Sequence, residues 1–188
     1  MRYDIELYQI ELDALIGEVI ENVFFHINYE DSPDTSFKQL SSEVIEVLRG
    51  NILIETKSGL FFRIIETDYS KNLDLGGLCF EKAKKLIPEE RPNQINEPFW
   101  GNFSDKKIVN SEIFEDKHLV NSQLMTIPLG IKLNFEGDST LFIMNLCIEK
   151  FIESKGLYKF LKGEEIVLFN NENIFNKHKT LEENELIS

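Results

Sequence analysis

Cysteine is scarce in this chain of 188 residues, and long hydrophobic runs are missing. Two cysteines, Cys79 and Cys147, do not form the disulfide framework of a small secreted protein, so buried reduced thiols are expected. The longest apolar stretch, Leu141 to Ile148, is far shorter than the roughly 20 residues that a membrane-spanning helix needs. Carboxylates interrupt the apolar residues at the N-terminus, unlike in a signal peptide. We therefore expect a cytoplasmic protein that does not bind a membrane.

Motifs for catalysis or metal binding are also missing. The histidines, His26, His118 and His178, form neither an i/i+4 pair nor an HExxH pattern. No G-x-S-x-G elbow is present, and the pair Gly76-Gly77 lacks the lysine of a phosphate-binding loop. We predict no catalytic residue, no metal ligand and no cofactor. The alternative is an enzyme or small-ligand-binding protein whose site forms only in the folded chain.

Positive charge is in deficit. The 20 Lys and Arg residues face 33 Asp and Glu residues, which gives a formal net charge of −13. Such a surface repels nucleic-acid phosphates and anionic membranes, and it attracts basic proteins over long distances. The composition therefore disfavours nucleic acid as a partner and favours a basic protein. The alternative is that the charge only keeps the protein soluble.

The charge imbalance is concentrated near the N-terminus. Residues 1–34 hold nine acidic side chains and a single basic one. If this region folds onto one face, it raises the local negative potential there. Glu18 and Glu21 are therefore candidate partner-binding residues. The alternative is a charged edge that faces solvent.

Alternation of apolar and polar residues predicts β-strands over much of the chain. Two pairs of segments alternate around a turn: residues 52–56 with 60–64, and residues 129–135 with 141–143. Gly59 and the Gly137-Asp138 pair suit tight turns, so each pair predicts a β-hairpin. Residues 23–29 and 166–169 predict two further strands.

Helices are fewer, and three segments are candidates: residues 36–49, 77–87 and a part of 147–161. The first places apolar residues on one helical face before Gly50, although Val44 to Leu48 is β-branched enough to be a strand. Hairpins with a few helices, rather than βαβ units, predict an α+β fold. We expect an antiparallel sheet built from hairpins, with two or three helices.

The domain organisation follows from these patterns. We predict a single α+β domain over residues 1–170 and a polar C-terminal tail over 171–188. The two hairpins resemble each other, which leaves a duplicated half-domain as an alternative. In that case the halves would be 1–87 and 106–170, joined by a proline- and aromatic-rich loop at 88–105.

The most distinctive local feature of that loop is its aromatic cluster, which includes the one tryptophan of the chain. Aromatic side chains held beside a proline are typical of anchors in protein interfaces. The residues predicted to bind a partner are the aromatic Phe99, Trp100 and Phe103, with Glu89, Glu90 and Glu97 as a polar rim. The alternative is that Trp100 folds inward and caps the core.

This chain resembles the immunity proteins of bacterial polymorphic toxin systems. It shares with them its small size, its acidic charge, its hairpins and its lack of a motif. Its many Lys, Asn and Ile residues and its few Arg residues are typical of proteins from AT-rich bacterial genomes. This resemblance rests on overall character. It implies a non-catalytic protein that neutralises a toxin domain, often a basic nuclease, by covering its active site or an exosite. A structural or regulatory subunit is the remaining alternative.

Overall fold

The computed structural model describes residues 5–25, 37–47, 51–68, 76–83, 91–92, 97–120 and 123–185. The helices within these ranges are α1 (Ile5–Asp13), α2 (Glu97–Trp100) and α3 (Glu172–Glu185). The strands are β1 (Ile20–Phe25), β2 (Phe37–Gln39), β3 (Val44–Val47), β4 (Asn51–Thr56), β5 (Phe61–Asp68), β6 (Gly76–Ala83), β7 (Arg91–Pro92), β8 (Ile108–Val120), β9 (Gln123–Phe135), β10 (Ser139–Ile152) and β11 (Leu157–Phe169).

Antiparallel pairing joins these strands into two sheets. The first sheet has the order β6-β5-β4-β1-β7, and the second has the order β2-β3-β11-β10-β9-β8. The pairs recorded for both sheets are antiparallel throughout the described residues. The chain is therefore a sheet-rich α+β fold, as the hairpin patterns predicted.

Both predicted hairpins are confirmed. Gly59 has a φ of 82° in the turn between β4 and β5, while Gly137 and Asp138 have φ of 78° and 60° between β9 and β10. Side chains other than glycine, asparagine and aspartate rarely adopt this left-handed conformation. The strand predicted over 166–169 is the end of β11, and the one over 23–29 is confirmed as far as Phe25, beyond which it lies outside the described residues.

The main hydrophobic core lies between the two sheets. Strand β6 of the first sheet packs against β9, β10 and β11 of the second. Alternate side chains along each strand supply the core: Ile52 and Ile54 come from β4, and Ile131 and Leu133 from β9. All four side chains are fully buried. This packing of sheet on sheet explains why period-two patterns dominate the sequence.

A second core lies on the other face of the six-stranded sheet, beneath α3. Ile143 of β10 belongs to the main core, whereas its neighbours Phe142 and Met144 belong to the second one. Phe175 of α3 stacks on Phe142, with ring centroids 4.2 Å apart. The central strands are therefore apolar on both faces, because both faces are covered.

His178 of α3 is a buried polar side chain of this second core. Its Nδ1 atom lies 2.8 Å from the carbonyl oxygen of Tyr158, and the rings of Phe160 and Phe169 pack against it. Burial lowers the pKa of His178 below its ordinary value of 6.5, although the hydrogen bond to Tyr158 opposes this effect. The nearby charge of Lys177 lowers the pKa further.

This histidine makes stability depend on pH in a defined direction. In the unfolded chain His178 takes up a proton as the pH falls through about 6.5, whereas the folded protein resists protonation. Its contribution to the free energy of unfolding is therefore complete above about pH 6.5 and is lost as the pH falls. We expect urea unfolding to show a smaller loss of stability from pH 7 to pH 5 for His178→Leu than for the wild type. An equal loss in the two proteins would contradict this assignment.

The three predicted helices are wrong in position. The described part of 36–49 forms β2 and β3, because Val44 to Val47 pair with β11, as the strand alternative anticipated. Residues 77–83 lie in β6, where Leu78 and Phe80 alternate into the main core, and 84–87 lie outside the described residues. The segment 147–161 holds the end of β10, a turn and the start of β11.

The predicted polar tail is instead largely helical. Residues 172–185 form α3, and Asn171 caps this helix, since its Oδ1 accepts hydrogen bonds from the backbone nitrogens of Asn173 and Ile174 at 2.9 and 3.4 Å. Phe175 is buried in the second core, which explains why the helix packs on the sheet. Helix α1 was likewise not predicted.

A duplication into two similar halves is not confirmed. Strands β2 and β3 come from the first proposed half, yet β3 pairs with β11 of the second half and β2 pairs with β3 at the edge of the same sheet. The sheet therefore combines strands from both sides of the loop at 88–105.

Candidate functional site

An open cavity of about 640 Å³ lies at the start of α3, beside the turn between β9 and β10. We call it the polar cavity. Its walls come from four regions of the chain that are distant in sequence. The lining residues are Ser42, Glu43, Asn102, Asp138, Ser139, Thr140, Asn170, Asn171, Glu172, Asn173 and Asn176.

Every one of these lining side chains is polar. Five are asparagines, three are carboxylates and three are hydroxyl-bearing residues. No lysine, arginine or hydrophobic residue lines the cavity among the residues that the structure describes. Amide and hydroxyl groups both donate and accept hydrogen bonds, whereas ionised carboxylates only accept them. The cavity is therefore rich in acceptors and carries negative charge.

Asn170 ties three walls of the polar cavity together. It is 8% exposed, and its Nδ2 donates to the carbonyl oxygens of Ser42 and Phe99, both at 3.2 Å. Its backbone nitrogen donates to the carbonyl oxygen of Glu43 at 3.1 Å. The cavity is thus held by buried hydrogen bonds, which fix its shape better than exposed contacts do.

Two lysines border the polar cavity. The Lys132 ammonium lies 3.3 Å from Glu172 Oε1, and Lys106 donates to Ser139 Oγ at 2.5 Å. The surface ion pair of Lys132 with Glu172 contributes little to stability and is screened by salt. The two lysines offset part of the negative charge around the cavity.

Glu43 and Asp138 are two carboxylates of the polar cavity without an ion pair among the described residues. Glu43 accepts a hydrogen bond from Asn171 Nδ2 at 3.2 Å. Asp138 is exposed at the tip of the turn, where its φ of 60° fixes the direction of the backbone. These two groups can accept hydrogen bonds from an incoming ammonium or guanidinium group.

The aromatic side chains predicted as interface anchors are buried. Phe99, Trp100 and Phe103 are 0%, 6% and 2% exposed, and all three belong to the main core. The ring of Phe103 lies 4.8 Å from that of Phe135 between centroids. This placement corrects the anchor interpretation, because a ring with almost no exposed surface cannot contact a partner. The burial agrees with the alternative prediction, in which Trp100 folds inward and caps the core.

The predicted acidic residues are dispersed. Glu89 and Glu90 lie outside the described residues, and Glu97 begins α2 with a side chain that is likewise not described. Glu21 is exposed and Glu18 is half-buried. The structure therefore does not group these acids into a rim around Trp100.

Glu18 nevertheless lies at the same end of the sheets as the polar cavity. The carbonyl oxygen of Glu18 accepts a hydrogen bond from the backbone nitrogen of Ile108 at 2.9 Å. The adjacent Lys107 accepts one from the backbone nitrogen of Glu136, at the start of the turn that holds Asp138, also at 2.9 Å. Glu18 and the turn thus lie at one end of the six-stranded sheet.

Glu21 lies close to an exposed ion pair. Lys57 and Asp105 are joined through a hydrogen bond, which raises the pKa of Lys57 and lowers the pKa of Asp105. The charge of Glu21 also raises the pKa of Lys57, as a smaller effect. Part of the negative field of Glu21 is therefore balanced within the protein.

The residues of the polar cavity were not predicted as a site. The sequence patterns place Glu43 in a helix, Asp138 in a turn, Asn170 at the end of the domain and the asparagines of 171–176 in a tail. The one available signal was the cluster of asparagines from Asn170 to Asn176, since asparagine favours helix caps and polar sites over solvated tails.

Other classes of site are not supported by the described residues. No group of three or more His, Cys, Asp and Glu side chains is arranged there to hold a metal ion. Among the described helices, none combines the length and the apolar character that crossing a bilayer requires.

Comparisons with protein-family models, with curated proteins and with solved structures gave no match. The function is therefore argued from the geometry and the charge of the chain itself.

Proposed function

We propose that this chain is a non-catalytic protein-binding module whose polar cavity receives a lysine or arginine side chain of a basic partner. In the most specific form of the proposal, it is an immunity protein that neutralises a basic toxin domain in the cytoplasm. The observation that carries the proposal is the polar cavity, with its wholly polar lining and two carboxylates, Glu43 and Asp138, that form no ion pair within the described residues.

The shape of the polar cavity suits a side chain better than a flat surface does. Arginine presents five donors in a planar fork, and lysine presents three on a flexible stem. Glu43 and Asp138 would accept charge-assisted hydrogen bonds, and the asparagine side chains would satisfy the remaining donors. A volume of about 640 Å³ leaves room for such a side chain together with ordered water.

The charge of the whole chain supports the same partner class. A net charge of −13 accelerates the encounter with a basic protein. Glu18 and Glu21 would contribute to this steering, since both belong to the acidic N-terminal region of the chain. Steering sets the rate of association, whereas the cavity would set the lifetime of the complex.

The test compares two variants of equal net charge. The cavity variant combines Glu43→Gln, Asp138→Asn and Glu172→Gln. Asparagine is chosen at position 138 because, like aspartate, it tolerates the positive φ there. The control variant combines Glu6→Gln, Glu112→Gln and Glu153→Gln, three exposed acids that do not line the cavity. Each tagged protein is incubated at low salt with lysate of the producing cells, and the retained proteins are quantified by mass spectrometry.

We expect a basic protein that the wild type and the control variant retain equally, and that the cavity variant retains at least about tenfold less. Loss of two charge-assisted hydrogen bonds accounts for an effect of that size. If both variants retained less of the basic protein by the same factor, only the total charge would matter for binding. If all three proteins retained it equally, the polar cavity would not be part of the interface.

A further inference from the structure

A second, apolar cavity lies between α3 and the outer face of the six-stranded sheet. Its volume of about 160 Å³ is close to that of protein cavities that take up benzene, roughly 150 Å³. Its inner walls are the buried side chains Met144, Leu146, Phe160, Phe169 and Phe175, together with His178. We call it the apolar cavity. It is separate from the polar cavity, since the two share no lining residue.

The apolar cavity opens to solvent on one side. Glu115 is exposed at this mouth, while Phe114 and Leu129 are half-buried. We expect a small molecule to enter the apolar cavity on this side.

Gly130 determines where one wall of the apolar cavity lies. Met144 sits opposite Gly130 in the β9–β10 ladder. A Cβ atom at Gly130 would lie 2.2 Å from Met144 Sδ, so the Met144 side chain occupies the space that a larger residue would fill. The missing side chain at Gly130 therefore leaves the space in which the Met144 sulfur lies.

His178 is the one histidine that lines the apolar cavity, and its hydrogen bond to Tyr158 determines which ring nitrogen carries the proton. The carbonyl oxygen of Tyr158 can only accept, so Nδ1 at 2.8 Å must carry the proton. Burial keeps the imidazole neutral at pH 7, because it lowers the pKa of His178. Nε2 therefore holds a lone pair that can accept a hydrogen bond.

We propose that the apolar cavity binds a small uncharged ring compound with one hydroxyl or N–H group, which donates a hydrogen bond to Nε2 of His178. The ring gains dispersion contacts with the side chains that line the cavity, and its donor forms a hydrogen bond with Nε2. This ligand site is independent of partner binding at the polar cavity.

The experiment titrates phenol and toluene into the protein labelled with ¹³C at the methionine methyl groups and with ¹⁵N at histidine. We expect saturable shifts of the Met144 methyl resonance with both compounds, and a shift of the His178 Nε2 resonance with phenol alone. His178→Leu should lower the ratio of phenol affinity to toluene affinity about three- to tenfold, the effect of one hydrogen bond.

Two matched variants locate the site. Leu129→Phe enlarges a lining residue and should abolish both shifts, whereas Leu161→Phe makes the same change at an exposed position outside the cavity and should leave them unchanged. No saturable shift in the folded wild type would overturn the proposal. An affinity ratio that His178→Leu leaves unchanged would overturn it as well. The wild-type and His178→Leu titrations keep this test decisive if Leu129→Phe fails to fold.

Discussion

Phe103→Ala is expected to lower the free energy of unfolding by about 3–5 kcal/mol, the usual result of truncating a buried phenylalanine. Phe103 is 2% exposed and packs against the rings of Phe99, Trp100 and Phe135, with centroids 6.2, 6.0 and 4.8 Å away. Removing the ring loses its transfer free energy and leaves a cavity that the two sheets cannot close. Chemical denaturation followed by fluorescence of Trp100 measures the change.

Phe151→Ala is the matched control for this prediction. Phe151 is 49% exposed and contacts Tyr158 with ring centroids 4.8 Å apart, so its loss should cost about 1 kcal/mol or less. If Phe103→Ala proved as harmless as Phe151→Ala, the aromatic segment would not belong to the core, and the interface interpretation would return.

Gly130→Ala is expected to destabilise the protein by about 1–3 kcal/mol, although alanine is otherwise well tolerated in buried positions. The added Cβ would lie 2.8 Å from the carbonyl oxygen of Ile143, in addition to its clash with the sulfur of Met144. The sulfur can move with its flexible side chain, whereas the carbonyl oxygen moves only if β9 and β10 separate.

A double-mutant cycle with Met144→Ala separates the two clashes. In the Met144→Ala background, the cost of Gly130→Ala should fall, because only the contact with the Ile143 carbonyl remains. Identical costs in the two backgrounds would show that the Met144 side chain is not constrained by Gly130. Such a result would also remove the argument that this glycine shapes the apolar cavity.

The hairpins could be predicted because their signals are local. Gly59 and Gly137 lie in turns that need a positive φ, and the residues on either side alternate with the period of a strand. Neither property depends on distant parts of the chain. The sheet-rich α+β class follows from such patterns alone.

The helices could not be placed because their signals are not local. Residues 37–47 carry helix-like spacing, yet β3 is a strand because β11 offers it a ladder. Strands β10 and β11 are apolar on both faces, since one face meets the other sheet and the second meets α3. Such strands lose the alternation that identifies a strand in sequence. The stripe of Ile174, Phe175 and His178 in α3 was hidden by many polar neighbours.

The polar cavity was beyond sequence reasoning for the same physical reason. Glu43, Asp138 and Asn171 are separated by tens of residues, and only the closure of the sheet brings their segments together. For Trp100 the sequence predicted a binding site that the fold does not present. Its segment has the composition of an interface anchor, but the side chain is buried in the core. Composition indicates which side chains can bind, whereas the fold decides which of them solvent reaches.

The most direct test of the proposed function is native mass spectrometry of the tagged protein after its recovery at low salt from the cells that produce it. The account predicts a complex of one copy of this chain with one copy of a single basic protein, which higher salt dissociates. Recovery of the chain without a stoichiometric basic partner, repeatedly and at several salt concentrations, would contradict it.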